Sequence, residues 1–310
     1  MDSPRRSEPR FGDLNNSDTE MDMAHGCLRA DECDPDVRVL RRLDLPAGST
    51  GDGGETIAGF GVVVDVETTG TDLEEDRVIE LAVRRFAYDD DFVITKIDTP
   101  YSWREDPLRP LPDEIVRITG LTDDDLAGRT IDDDEATRIL RSADVRIAHN
   151  AAFDRPFVER RLPGLAGLPW ACSIKDVGWT ERGFESAKLG WILSQCGYFH
   201  GAHRAEADVD ATIQILRHEL SPGRTALREL MERATSDSWI VRAFGAAFDV
   251  KDALKARRYA WNPQQRVWWK EVQDLSAEKE WLWANVYCPE AHPKARFADF
   301  EPVDWTKRYE

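Results

Sequence analysis

Residues 59–70 read Gly-Phe-Gly-Val-Val-Val-Asp-Val-Glu-Thr-Thr-Gly. The run from Phe60 to Val66 is dominated by β-branched residues, which suits a buried strand. It closes on two acids, Asp65 and Glu67, and residues two apart on a strand point to the same face. Gly70 then lets the chain turn sharply away. Two neighbouring carboxylates beside a core repel each other, and a cation between them removes that cost. Hard divalent ions such as Mg²⁺ take oxygen ligands and keep water or substrate phosphate in their shell. Standing alone, the Asp-x-Glu pattern fits a strand end with two solvated acids at least as well.

Working outward, Val78–Val83 and Phe92–Ile97 read as further strands, close enough in sequence for antiparallel hairpins. Pro112–Ile118 reads as a short helix, and Asp132–Glu135 opens another, because acids are favoured where helix N–H groups point outward. Val145–Ala148 is a strand, Phe153–Arg161 a helix, Trp170–Ile174 a strand and Ala187–Cys196 a helix. Ala205–Leu220 is a long helix with Val209, Thr212, Ile213 and Leu216 as its inward stripe. A strand meander followed by interleaved helices and strands predicts an α/β fold, a mixed sheet flanked by helices. Acid runs at Asp89–Asp91, Asp123–Asp125 and Asp132–Glu135 fall in turns or helix starts and read as solvated caps.

Two further patterns share the logic of the first. His149-Asn150-Ala151-Ala152-Phe153-Asp154 follows an apolar strand and opens a helix; alone, Asp154 fits a first-turn acid. His203-Arg204-Ala205-Glu206-Ala207-Asp208 starts the long helix, so that His203 and Asp208 can face one cleft. Together they offer four carboxylates and one titratable imidazole. Two-metal phosphodiester hydrolysis needs such a set, with ions ~3.5–4 Å apart clamping the attacking and leaving oxygens. In these three motifs and their order the sequence resembles the DEDDh 3′–5′ exonucleases of the DnaQ-like type, on a ribonuclease H-like fold. DVETTG (65–70), HNAAFD (149–154) and HRAEAD (203–208) carry the resemblance, which spans residues 57–220. Ile118-Thr119-Gly120-Leu121 resembles the family's substrate-side turn, with Thr119 where many members carry His.

The resemblance implies roles. Asp65 would bridge two Mg²⁺ (or Mn²⁺) ions, Glu67 and Asp208 would complete the shell of the ion holding the attacking water, and Asp154 would support the second. His203 would take the proton from that water. Thr68, Thr69 and Leu121 would hold the terminal nucleotide, with Phe153 packed nearby. The implied activity is release of nucleoside 5′-monophosphates from a free 3′ end, most simply of DNA that is single-stranded or frayed, in repair or proofreading-like roles. An exoribonuclease of the same family, and a non-catalytic protein that binds nucleic-acid ends, are the alternatives.

The chain has 310 residues and a net charge of −18. Residues 1–58 carry 7 basic and 13 acidic side chains, residues 59–234 carry 22 and 34, and residues 235–310 carry 12 of each. Such an acidic catalytic segment argues against wrapping long duplex, since phosphate contacts favour basic surfaces. It does not argue against gripping one strand end between divalent ions. Residues 1–56 read as a flexible leader ending in a Gly-rich run, and residues 57–222 as the catalytic domain. Seven of the eleven tryptophans lie from Trp239 onward, so 235–310 reads as a small C-terminal α+β module with its own core. There Arg257, Arg258, Trp261, Arg266, Trp268 and Trp269 interleave cations with indoles, a composition that suits stacking on unpaired bases; a tryptophan core with solvated charges explains it equally. Five cysteines without a C-x-x-C pair predict reduced thiols, and His25, Cys27 and Cys33 make an incomplete zinc set. No apolar run is long enough for a bilayer and no secretory signal is evident, so no membrane partner and a cytoplasmic location are expected.

Overall fold

The computed structural model describes residues 37–288 and 297–309. The chain divides at Val39/Leu40, and every element named below lies in Leu40–Glu310. The incomplete zinc set at His25, Cys27 and Cys33 lies outside the described residues, as does the leader as far as residue 36.

The first layer of structure is a strand meander: β1 (Arg41–Arg42), β2 (Gly48–Ser49), β3 (Gly59–Thr68), β4 (Val78–Tyr88), β5 (Ile94–Ile97) and β6 (Tyr101–Arg104). Three helices follow, α1 (Asp113–Thr119), α2 (Asp123–Leu126) and α3 (Asp133–Arg141). The acid runs act here as anticipated. Asp132 caps α3, Asp125 completes a capping box with Thr122, and Asp89 accepts from the Gly54, Asp91 and Val93 N–H groups. Next come β7 (Val145–Ala148), α4 (Ala151–Arg161), β8 (Trp170–Cys172), α5 (Leu189–Gln195), β9 (Tyr198–Phe199) and α6 (Ala205–Arg217). A small hairpin, β10 (Glu219–Ser221) with β11 (Arg224–Thr225), leads into α7 (Ala226–Ala234).

The central sheet runs β2-β5-β4-β3-β7-β8, with β6 also on β4. β3 pairs antiparallel with β4 and parallel with β7, and β8 continues the parallel half. This is the mixed sheet expected. Along β3, alternate side chains enter different cores. Val62, Val64 and Val66 face α3 and α4, whereas Val63 faces the cluster built from α5, α6 and α7. All four stripe residues of α6 are buried.

Two expectations change. The flexible leader expected over residues 1–56 is ordered in its last part: Gly48 pairs with Ile97, Arg41 with Tyr198, and Leu45 enters the core. The Gly/Ser/Thr composition that reads as linker here forms an edge strand whose partners lie some fifty residues on. The catalytic domain expected over residues 57–222 also runs further: Ser221-Pro222-Gly223 is a tight hairpin, and α7 beyond it places Leu227, Leu230 and Met231 in the first core.

The remaining elements are β12 (Ser238–Ala243), α8 (Lys251–Ala256), β13 (Ala260–Asn262), β14 (Val267–Val272), α9 (Leu275–Asn285) and β15 (Asp299–Val303). They form an antiparallel sheet of order β13-β14-β12-β15 with its own apolar cluster, which includes Val241, Leu254, Tyr259 and Leu282. Trp239, Trp268 and Trp281 pack against that cluster, while Trp305 packs against the first core.

Candidate active site

β3 overhangs its parallel neighbour. β7 pairs with it only as far as Val63, so the backbone beyond has no strand on that side. The orphaned Val66 N–H donates to Asp154 Oδ1 at 3.2 Å, which brings the first turn of α4 to the strand end. Asp154 is 3% exposed. Asp65 and Glu67 stand on the opposite side of β3, with Val63, where α6 packs across β3 and β4. Asp208, in the first turn of α6, completes the group: Asp65, Glu67 and Asp208 each offer a carboxylate oxygen within 4.8 Å of the others. A Cβ on Gly70 would collide with the Asp76 carboxylate, so a larger residue there would push that side chain off Thr69 and Arg109.

The electrostatics are those of acids packed together with little counter-charge. Burial first, then the charges of Asp154, Asp208, Glu67 and Glu80, drive Asp65 well above the ordinary carboxylate range. Burial, Asp208 and Glu80 push Glu67 up to about 7, against a lowering pull from Arg204. Burial pushes Asp154 up to about 8, although the Val66 N–H opposes it. An all-oxygen donor set of this kind fits a hard divalent cation.

Three residues that motif reading passed over shape the pocket. Glu80 is 2% exposed and lies directly across from Glu67 on β4. Its Oε2 accepts the Ala205 N–H at 3.1 Å, and Oε1 meets Arg104 at 3.6 Å and Arg204 at 3.3 Å. The β4 pattern holds the clue, since an acid interrupts an otherwise apolar stretch. His200 is the second: its Nε2 lies 2.7 Å from Asp208 Oδ1. Arg204 is the third.

His203 is placed otherwise than the sequence suggested. It is exposed, its backbone is left-handed (φ 63°), and only its N–H reaches the cluster, donating to Asp208 Oδ2 at 2.9 Å. Its imidazole is not gathered with the four acids. His149, in the second motif, is structural. Its Nε2 donates to the Ala187 carbonyl at 2.9 Å, so Nδ1 accepts from the Ser173 hydroxyl at 2.7 Å. Burial lowers this imidazole to about 4, which keeps it neutral.

Of the nucleotide-holding candidates, Thr68 and Thr69 are buried beside the acids with their hydroxyls spent on Gly70 and Asp76. Only their backbone remains to offer. Leu121 is 1% exposed, enclosed with Ile79, Leu111 and Leu126, so it supports the turn from within and presents no face to a ligand. Phe153 is half-buried against Phe157, ring centroids 5.1 Å apart, one residue from Asp154. In the C-terminal sheet, Arg257 and Lys270 are tied to the buried Glu278, and Trp268 belongs to the core. Arg258, Trp261, Arg266 and Trp269 remain exposed.

The exonuclease family model RNase_T matches residues 62–216, half of the chain and all four acids. The chain belongs to the DnaQ-like exonucleases of the ribonuclease H-like superfamily. It is 29% identical over 163 residues to the DNA polymerase III subunit epsilon of Treponema pallidum, covering 49% of this chain and 72% of that protein. With the epsilon subunit of Aquifex aeolicus it shares 27% over 161 residues, covering 50% and 77%. With the PolC-type DNA polymerase III of Clostridium perfringens it shares 26% over 162 residues, half of this chain but only 11% of that protein. Among solved structures, E. coli Exonuclease I in complex with a dA16 oligonucleotide matches 70% of this chain and 63% of its own, at 17% identity and a TM-score of 0.43. Among the described residues, no helix is long and apolar enough to cross a membrane.

Proposed function

We propose that the protein is a metal-dependent 3′–5′ exonuclease releasing nucleoside 5′-monophosphates from single-stranded or frayed 3′ ends of DNA, in repair or proofreading-like roles. One observation carries the proposal: Asp65, Glu67 and Asp208 converge within 4.8 Å, with Asp154 anchored to Val66 behind them. Asp65, Glu67, Asp154 and Asp208 would hold two Mg²⁺ or Mn²⁺ ions. Such ions supply charge stabilisation at the phosphate oxygens and at the attacking and leaving oxygens. The chain's own part is to orient and to move a proton. The Thr68–Gly70 backbone and Phe153 line the approach of the terminal nucleotide. His203 takes the proton of the attacking water once residues 201–204 turn inward; the water oxygen bonds to phosphorus as the bond to the 3′ oxygen breaks. DNA is favoured over RNA because the relatives are named as DNA polymerase III components.

The test is incubation with 3′- and 5′-labelled DNA and RNA single strands, in Mg²⁺ or EDTA. Expected are mononucleotides from the 3′ end of DNA, none in EDTA and none from Asp65→Ala. Internal cuts, or activity that survives EDTA, refute the proposal; faster loss from RNA transfers it to an exoribonuclease. Binding of strand ends with no cleavage in any metal would support the non-catalytic alternative.

A further inference from the structure

We propose that the outer edge of the C-terminal sheet, around Trp261, is a docking surface for unpaired nucleic acid. It extends the exonuclease reading, and holds the substrate strand away from the acidic pocket. Four observations converge on this edge.

First, the cations here are uncompensated in a chain of net charge −18. Several arginines elsewhere are spent on acids, Arg84 on Asp210, Arg161 on Glu105, Arg182 on Glu229 and Arg308 on Glu271, although Arg77 and Arg129 are exposed without one among the described residues. In the α8–β14 stretch Arg257 and Lys270 serve the buried Glu278. Lys255, Arg258 and Arg266 are exposed and have no acidic partner among the described residues. Free cations suit phosphate, and their contribution to binding is salt-dependent.

Second, the aromatic surface is in the right form. Trp261 is 48% exposed on the edge strand β13, backed by Trp268 at 5.4 Å between ring centroids. An indole held by a second indole presents a firm face on which a base can stack. Third, the register separates the two exposed indoles. Trp261 pairs with Trp268, whereas Trp269 pairs with Ala260; neighbours on a strand face opposite ways, so Trp269 points to the other side of the sheet. One strand cannot use both. The cations bracket Trp261: Arg258 precedes β13, and Arg266 closes the turn after it. At ~3.3 Å per residue, Arg258 is within about 10 Å of Trp261 along the chain.

Fourth, Arg258 and Arg266 both hold left-handed backbone, φ 68° and 52°, where glycine or asparagine would be at ease. Charged side chains stand at both ends of β13 despite that penalty. The surface combines separated positive charges with one stackable ring, the complement of phosphates and an unpaired base.

The test uses the full chain in EDTA, where hydrolysis is off, and a fluorescent thymidine 30-mer read by anisotropy. Trp261→Ala should weaken binding about tenfold, in line with loss of one stacked base. Arg258→Glu with Arg266→Glu should weaken it at least as much and reduce the salt slope by about 1–2. The second variant leaves the apolar cluster untouched, so it decides the matter if Trp261→Ala disturbs folding. Wild-type affinity in both variants overturns the proposal, as does a wild-type protein that ignores the oligonucleotide in EDTA; the edge would then suit a protein partner. Whether wild-type protein hydrolyses a thymidine 5′-phosphate nitrophenyl ester in Mg²⁺ tests the nuclease reading separately.

Discussion

Two imidazoles compete for one role at Asp208. His200 Nε2 is engaged with the carboxylate at 2.7 Å and its side chain is nearly enclosed, whereas His203 offers only a backbone N–H and keeps its ring in solvent. A general base needs a ring nitrogen free to face the water it deprotonates. His200 has that nitrogen occupied by the carboxylate, which suits an orienting part; His203 has its ring exposed to solvent, just ahead of the first turn of α6 that carries Asp208. His203→Ala is therefore expected to lower kcat by ~10²–10⁴-fold, with Mg²⁺ affinity within a few-fold of wild type. His200→Ala should raise the Mg²⁺ concentration needed for half-maximal rate and lower kcat less. Single-turnover release of mononucleotide over a Mg²⁺ titration separates the two, and the opposite ranking moves the base to His200.

At the scale of elements, the pocket depends on how α6 is seated, and Glu80 seats it. The carboxylate caps the Ala205 N–H, gathers Arg104 and Arg204, and lies on β4 opposite Glu67, while Arg84 holds Asp210 one turn further along α6 at 2.6 Å. Glu80→Ala leaves a helix N–H unsatisfied and Arg204 without its acid, while Arg104 keeps Asp125 at 3.4 Å; both arginines are partly exposed, so water recovers some of the loss. A destabilisation of about 1–3 kcal/mol is expected in urea titration, together with weaker Mg²⁺ binding, because Asp208 moves with its helix. Glu80→Gln keeps an acceptor for Ala205 and should recover most of the stability and less of the metal affinity. Unchanged metal affinity in both variants would show that α6 is seated by its apolar stripe alone. The same elements mark the limit of what sequence shows. Strand β3, the α6 stripe and the convergence of Asp65, Glu67, Asp154 and Asp208 were legible because period, turn residues and acid placement agree locally. Glu80 was not, because its meaning lies in a cross-strand register. Neither was the direction of His203, set by one left-handed residue, nor the pairing of Gly48 with Ile97, whose glycine-rich composition reads as linker.

For the molecule as a whole, the acids link stability to pH and to metal. Burial and mutual repulsion hold Glu67 at about 7 and Asp154 at about 8, above their unfolded values near 4. Between those limits the folded protein binds more protons than the unfolded one, so metal-free stability falls as pH rises from about 4 to about 8. Divalent cations remove the repulsion, and their stabilising effect should grow over the same window. Melting temperatures in EDTA and in Mg²⁺ at pH 5.5 and 8.5 check this; a metal-induced rise no larger at pH 8.5 counts against a cation site at these acids.

The last few residues tie the C-terminal sheet to the catalytic one. Arg155, adjacent to Asp154 and fully buried, donates to the Thr306 and Arg308 carbonyls. The Trp170 N–H on β8 donates to the Trp305 carbonyl at 2.9 Å, and the Tyr309 hydroxyl donates to Asp176 at 2.8 Å. Arg308, 4% exposed, reaches back to the Arg233, Ala234 and Ser236 carbonyls at the end of α7, to Ser238 on β12 and to Glu271 on β14. One side chain thus satisfies groups at the end of α7 and groups of the C-terminal sheet. Arg308→Ala orphans buried carbonyls at about 1–3 kcal/mol each before relaxation, so a loss of roughly 3 kcal/mol is expected. Deleting residues 304–310 removes the whole strap, and each sheet keeps an apolar cluster of its own. Calorimetry should then show one cooperative transition in the full chain and two in the truncated chain, the C-terminal sheet melting first because its core is the smaller. Activity should fall as well, since the strap is anchored on the helix that carries Asp154. A truncated chain that still melts in one unshifted transition would show that the two sheets are joined by other contacts, and that the strap fastens itself without coupling them.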